Sequence, residues 1–313
     1  MRVQNVVLTG GAGFIGSHIV HRLDAAGYRV KVLTRRRDAA RHLMLLPNVQ
    51  VAECDLMDGE ALHGALAGAD AVIHLVGILH ESRHASFDQI HAGLSARIAA
   101  ACRHLKIARL LHVSALNADM ASPSGYLRSK AAGEAAIKAS GLDWTVFRPS
   151  VVFGAGDSFL AMFAKLANLM PALMLANPEA RFQPLWVEDL AAAVVASLQL
   201  PETRSQSYDL CGPRVYTLRE LVAYAAGCAG ASPCIIGLNP ALSWMQAWLM
   251  EWLPVKLLTR DNLRSMQVDS VCDCPFPAIF NIDPTPLEAV APDYLSGDTP
   301  RGGYLRFRTL AGR

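Results

Sequence analysis

Short runs of β-branched and aliphatic residues alternate, through the first half of the chain, with stretches whose apolar positions recur near every 3.6 residues. Residues 3–9, 29–34, 49–53, 71–75, 110–114 and 144–147 read as strands, and 14–26, 59–67, 87–105 and 125–140 as helices. Strand and helix in strict alternation predict βαβ units and a parallel sheet covered on both faces. After Arg148-Pro149 the pattern is broken by Pro171, Pro178 and Pro184, then resumes as a helix over 187–198 and a strand over 208–211. The final third is helical but punctuated by proline. The expected architecture is α/β: a doubly wound parallel Rossmann sheet over residues 1–150 with a return segment at 185–212. Residues 151–184 and 213–313 are expected to form a smaller, mainly helical C-terminal cap domain. The tail over 296–313 is polar, glycine-containing and basic, and is expected to be mobile at its end.

Composition refines this picture only a little. The 313 residues, 52% of them hydrophobic, can fill a large core and a smaller one. With 29 basic against 27 acidic residues the net charge is +2, which predicts no broad basic surface for nucleic acid. The short cluster Arg35-Arg36-Arg37 lacks the aromatic partners that such binding uses. The N-terminal apolar run leads straight into a glycine loop and carries no cleavage signal, which points to a cytoplasmic protein. Seven cysteines, scattered and odd in number, read as loop or core thiols. Cys272-x-Cys274 lacks the second pair that a zinc site requires, so no metal is expected.

The candidate chemistry begins at Gly10, Gly11, Ala12, Gly13, Phe14, Ile15 and Gly16. A glycine run directly after a strand and opening a helix fits a dinucleotide: the backbone approaches the pyrophosphate closely, and the helix N-terminus holds its charge. An NAD-specific site would place a carboxylate at the end of the second strand. Here that strand ends in Thr34, Arg35 and Arg36, and a guanidinium there pairs with a 2′-phosphate. NADP(H) is therefore favoured over NAD(H). Tyr126 and Lys130 lie four apart, so on a helix they share a face, and the ammonium would lower the phenol pKa.

Three motifs in order, Thr9-Gly-Gly-Ala-Gly-Phe-Ile-Gly16, Tyr126-Leu-Arg-Ser-Lys130 and Arg148-Pro149-Ser-Val-Val-Phe-Gly154, resemble the extended or atypical short-chain dehydrogenase/reductase superfamily. Four further phrases are similar to bacterial relatives of the 39-kDa accessory subunit of respiratory complex I. They are His74-Leu-Val-Gly-Ile-Leu79, His112-Val-Ser-Ala-Leu-Asn117, Ser122-Pro-Ser-Gly-Tyr-Leu-Arg-Ser-Lys130 and Phe182-Gln-Pro-Leu-Trp-Val-Glu-Asp189. The resemblance implies that Tyr126 is the general acid/base and that Lys130 also holds the nicotinamide ribose. It further implies that Val76 and Gly77 run along the cofactor ribose and that Pro149 belongs to the cofactor set. Asp55, with Leu56 beside it, stands where similar proteins place an acid near the adenine; its alternative is a helix N-cap. Ser114 is the candidate for the superfamily's catalytic serine, against a strand-end residue that satisfies backbone groups. His91 stands where relatives often carry an asparagine, and is read as a polar core residue.

Residues 239–253 place Trp244, Trp248 and Trp252 four apart on a proline-started helix that Pro254 would stop. Core packing is the favoured reading; a lid over a lipophilic substrate, or a peripheral contact with the inner membrane or a respiratory complex, stays open. The leading function is an NADP(H)-dependent oxidoreductase acting on a hydrophobic carbonyl or quinone-like substrate. The alternatives are a non-catalytic, NADP(H)-loaded redox sensor or respiratory-complex assembly protein, and a nucleotide-sugar epimerase/dehydratase, which the apolar cap disfavours. Oligomeric state stays open.

Overall fold

Strands whose side chains are apolar on both faces require cover on two sides, and the computed structural model supplies it; it describes residues 3–82, 85–253 and 257–296. In chain order the elements are β1 (Asn5–Thr9), α1 (Phe14–Ala25), β2 (Arg29–Thr34), β3 (Val49–Glu53), α2 (Gly59–Leu66), β4 (Ala71–His74), α3 (Leu94–His104), β5 (Arg109–Val113), α4 (Gly125–Lys138) and β6 (Asp143–Pro149). There follow β7 (Val152–Phe153), α5 (Phe159–Leu169), β8 (Ala172–Leu175), β9 (Arg181–Phe182), β10 (Leu185–Trp186), α6 (Val187–Ala196) and β11 (Gln206–Leu210). The last are β12 (Tyr216–Thr217), α7 (Leu218–Cys228), β13 (Cys234–Gly237), α8 (Pro240–Met250), α9 (Arg260–Ser265) and α10 (Leu287–Leu295).

The chain divides into two compact units: Met1–Pro149 with Val187–Leu210 and Cys272–Asp283, and Ser150–Trp186 with Cys211–Val271 and Pro284–Arg313. The first unit holds a seven-stranded sheet in the order β11-β6-β5-β4-β1-β2-β3, parallel throughout. Its direction of winding reverses between β1 and β4, where an open α/β sheet leaves a crevice at the strands' carboxyl ends. Register aligns the residues that face that crevice, pairing Thr9 with His74 and His74 with His112. Val7, Val72, Leu110 and Val146 from the strands pack with Leu62, Leu94, Ile98 and Ile137 from the helices, each full burial worth about 1.5–3 kcal/mol.

Three expectations need correction here. Residues 87–105 are not one α-helix: a π-helical turn over Asp88–Gly93 precedes α3, because one extra residue is accommodated without disturbing the apolar spacing. The second unit is mainly helical, as expected, and also carries three two-stranded pairs, β7 with β10, β8 with β13 and β9 with β12. Its core lies between α5, α7 and α10, through Leu160, Ala164, Leu221, Ala225, Leu287 and Ala291. The cysteines are not all thiols, since Cys211 and Cys272 are disulfide-bonded. The Trp helix forms as expected, with Asn239 capping it through Leu242 N–H, but Trp244, Trp248 and Trp252 are exposed, so the core reading fails. Pro254 and the tail over 297–313 lie outside the described residues.

Candidate functional site

The glycine loop is shaped by backbone closeness. Gly10 has φ +82°, and a Cβ there would lie 3.0 Å from Val76 N and 3.1 Å from Leu75 C, so the loop presses on the turn after β4. A Cβ on Gly11 would come within 3.0 Å of Val32 Cγ1, and one on Gly16 within 2.6 Å of Gly11 Cα. Gly10 O accepts from Gly13 N–H at 3.1 Å. Gly13 caps α1 without a side-chain acceptor, which leaves the first-turn N–H groups around Phe14 and Ile15 available to an anion. The loop therefore fits a pyrophosphate on its own geometry, with Ala12 half-buried at its crest.

At the end of β2 the Thr34 hydroxyl donates to Arg36 O at 3.1 Å and accepts from Arg36 N–H at 3.3 Å. This tight turn leaves Arg35 and Arg36 exposed. Asp55 is not a helix cap: its carboxylate accepts from Met57 N–H at 2.9 Å, while Asp58 caps α2 through Glu60 and Ala61 N–H. The Leu56 side chain belongs to the core.

A chain of hydrogen bonds runs from β1 to Tyr126. Ser95 Oγ donates to His91 O at 2.5 Å, so it accepts from His74 Nε2–H at 3.2 Å and leaves His74 Nδ1 to accept from the Thr9 hydroxyl at 2.8 Å. His91 Nε2 accepts from Ile78 N–H at 3.0 Å, so its Nδ1–H donates to Ser129 Oγ at 2.8 Å. Ser129 Oγ in turn donates to Tyr126 O at 2.7 Å. Burial, aided by the Lys130 charge, holds His91 down at about 3. It is therefore neutral at pH 7, as its acceptor role requires. The Tyr126 ring is half-buried and meets His91 edge-on at 5.5 Å and Phe87 at 5.8 Å between centroids.

Lys130 is buried on α4, with Nζ donating to Val113 O at 3.3 Å and lying 3.2 Å from where a Gly77 Cβ would be. Any side chain at 77 would push the ammonium away. Burial pulls Lys130 down to about 8 against a smaller opposing pull from Glu134. The expectation that Lys130 depresses Tyr126 is overturned: burial pushes the phenol up to about 12. Ser114 follows β5, and its N–H donates to Phe147 O at 2.8 Å. Its buried hydroxyl lies beside the Glu134 carboxylate and helps lower it, without meeting full hydrogen-bond geometry. Pro149 O accepts from Leu116 N–H at 2.9 Å, which ties the end of β6 to the loop after β5.

Sequence reasoning missed Glu134. It is buried on α4 and takes Arg148 Nη2 at 2.6 Å, Arg148 Nε at 2.9 Å and Lys138 Nζ at 3.0 Å. Burial is the largest influence and raises its carboxyl, but the hydrogen bonds from Arg148, Ser114 and Lys138 and the Arg148 charge together outweigh it and hold the group below the ordinary value. The Lys130, Glu134, Lys138 spacing at i, i+4 was its only local signal. Ser95, Ser129 and Gly133 were missed too. A Cβ on Gly133 would lie 3.2 Å from both His91 C and Ser95 Oγ, so glycine lets α4 approach the π turn.

Residues 6–211 match the family described as NAD dependent epimerase/dehydratase. The chain is 34% identical over 230 residues to the NADH dehydrogenase [ubiquinone] 1 alpha subcomplex subunit 9 of Arabidopsis thaliana mitochondria, covering 70% of this chain and 57% of that protein. It therefore spans less than two thirds of that relative's length. It is 32% identical over 248 residues to a ceramide reductase of Caulobacter vibrioides, covering 79% and 78% respectively. Among solved structures, an enzyme of Bordetella bronchiseptica in complex with NAD+ superposes with a TM-score of 0.69 at 21% identity, over 92% of this chain and 96% of that one.

Proposed function

The chain belongs to the NAD dependent epimerase/dehydratase family and binds a nicotinamide dinucleotide, and from that premise we propose that it is an NADP(H)-dependent oxidoreductase acting on a hydrophobic carbonyl or quinone-like substrate. One observation carries the reading: the glycine loop, the Val76-Gly77 turn, Lys130 and the Tyr126 helix are packed successively against one another. When bound, NADPH would supply the hydride for reduction of a carbonyl. With its pKa held at about 12, Tyr126 is a neutral phenol at pH 7 and gives the carbonyl oxygen its proton, yielding the alcohol. Lys130, on the same helix and beside the Gly77 turn, would hold the nicotinamide ribose. Ser114 orients the carbonyl oxygen if its hydroxyl turns from Glu134. Val76, Gly77 and Pro149 line the cofactor, Arg35 and Arg36 take the 2′-phosphate, and Asp55 the adenine. The ceramide reductase relative supports a lipophilic substrate.

Replacing Tyr126 by Phe is expected to lower turnover about 10²–10⁴-fold while leaving the NADPH dissociation constant unchanged. The assay is NADPH oxidation with a panel of long-chain ketones and quinones, beside a fluorescence titration of the nucleotide. Undiminished turnover in the variant sinks the assignment. Tight nucleotide binding with no turnover across the panel favours the second reading, a redox-sensing or assembly module of a respiratory complex. The Arabidopsis relative and the Ser114 hydroxyl held beside Glu134 support that alternative.

A further inference from the structure

Helix α8 is inside out. Of its residues only Ser243 and Ala247 are buried, whereas Leu242, Trp244, Met245, Trp248 and Leu249 are exposed, as is Trp252 just beyond it. The three indoles are exposed to 41%, 45% and 78%. A core-facing helix buries its large apolar residues and shows its small and polar ones; this one is fixed to its unit by a small cluster of Ala247, Ala176 and Leu263. The apolar surface continues beyond the helix. Gln246 Nε2 donates to Met174 O at 3.0 Å, and Met174 and Ile236, paired across β8 and β13, are both exposed. Soluble monomers rarely leave so much contiguous apolar surface uncovered.

Charge distinguishes among the surfaces that could cover it. Between residues 238 and 260 the sequence holds one acid, Glu251, and Arg260 neutralises it at 2.8 Å. The Arg260 and Arg264 guanidiniums sit 5.8 and 5.5 Å from the Trp244 ring centroid. Lys256 follows Glu251 in the sequence, and Asp261 stands between the two arginines, so residues 238–264 carry three bases against two acids. Indoles mixed with aliphatic side chains and rimmed by cations match the boundary of an anionic bilayer, where tryptophan prefers the headgroup level and arginine meets phosphate. No helix among the described residues is long and apolar enough to cross a membrane, so the contact would lie in the interface plane.

We propose that α8 and the β8–β13 edge beside it form a peripheral docking surface for an anionic lipid bilayer. The inference stands on the second unit alone and does not depend on whether the nucleotide-bearing unit turns over a substrate. The full chain is floated with vesicles of phosphatidylcholine, and with vesicles of equal parts phosphatidylcholine and phosphatidylglycerol. Three of the protein's five tryptophans lie on this surface, so partition into the mixed vesicles is expected to shift their emission to shorter wavelength. Trp244→Gln with Trp248→Gln and Trp252→Gln should reduce partition roughly ten-fold or more, with NADPH binding retained as the check on folding. Arg264→Glu should weaken binding to the mixed vesicles about five-fold or more and leave the weaker binding to phosphatidylcholine unchanged. Absence of vesicle binding by the native chain overturns the proposal. So does a concentration-dependent dimer that the Trp substitutions abolish, because a second copy would then be the occupant.

Discussion

At the end of β2 the backbone spends Thr34 on Arg36, and two guanidiniums are left exposed where an NAD-specific site would carry an acid. Substituting Arg35 and Arg36 together by Ser is expected to weaken NADPH binding about 10–100-fold, the range for losing one charge-assisted hydrogen bond, and to leave NADH within about two-fold. Parallel titrations check it, and an equal loss for both nucleotides would mean that the arginines do not read the 2′-phosphate. The tight turn at Thr34 and the bend of the glycine loop were legible because their constraint is local. Titration behaviour was not. Spacing puts the Lys130 ammonium on the Tyr126 face, but Nζ turns to Val113 O and burial dominates both groups, pushing the phenol up and the ammonium down. Asp55 and Asp58 both precede the second helix, and only backbone geometry decides that Asp58, directly before Gly59, is the cap.

Among the elements, α4 carries most of the proposed chemistry and is positioned from two sides. On one side Glu134 fastens it to β6 through Arg148; on the other Gly133 and Ser129 fit it against the π turn that carries His91. Gly133→Ala is expected to destabilise the fold by about 1–3 kcal/mol, the range for overpacking a close contact. Turnover should fall more than nucleotide affinity, because Tyr126 would move with its helix. Urea unfolding and steady-state kinetics test this; an unchanged midpoint would show that α4 and the π turn can part without cost. The strands of the first unit were readable to within a few residues at each end, since apolar runs buried on two faces leave few alternatives. The π turn was hidden because its extra residue leaves the helical period intact. The outward orientation of α8 was hidden for another reason: composition cannot say which face a short helix turns to its neighbours, and here the small residue Ala247 makes that contact.

Across the nucleotide-bearing unit, three buried histidines act together on stability. His91 and His112 are both held down at about 3, first by burial and then by the Lys130 charge, and His74 lies well below its ordinary 6.5 through burial and then His112. The His74 and His112 rings stack at 5.1 Å. All three are neutral in the folded chain down to acid pH, while the unfolded chain protonates them near 6.5. Below that value the unfolded state binds more protons, so stability is lost as pH falls. One proton gives about 1.4 kcal/mol per pH unit, and three give about 4 kcal/mol per pH unit once the unfolded histidines are charged. Urea unfolding between about pH 5.5 and 5, above the carboxylate range, should show a slope near three protons; His91→Asn should remove one. A slope of one proton or fewer in the native chain would mean that the histidines charge without unfolding the protein. Because His74 and His91, which join Thr9 at the foot of the glycine loop to Ser129 on α4, stay neutral while the chain is folded, NADPH binding should hold down to the acid transition itself. Saturating nucleotide, which binds only the folded chain, should then shift the acid midpoint downward.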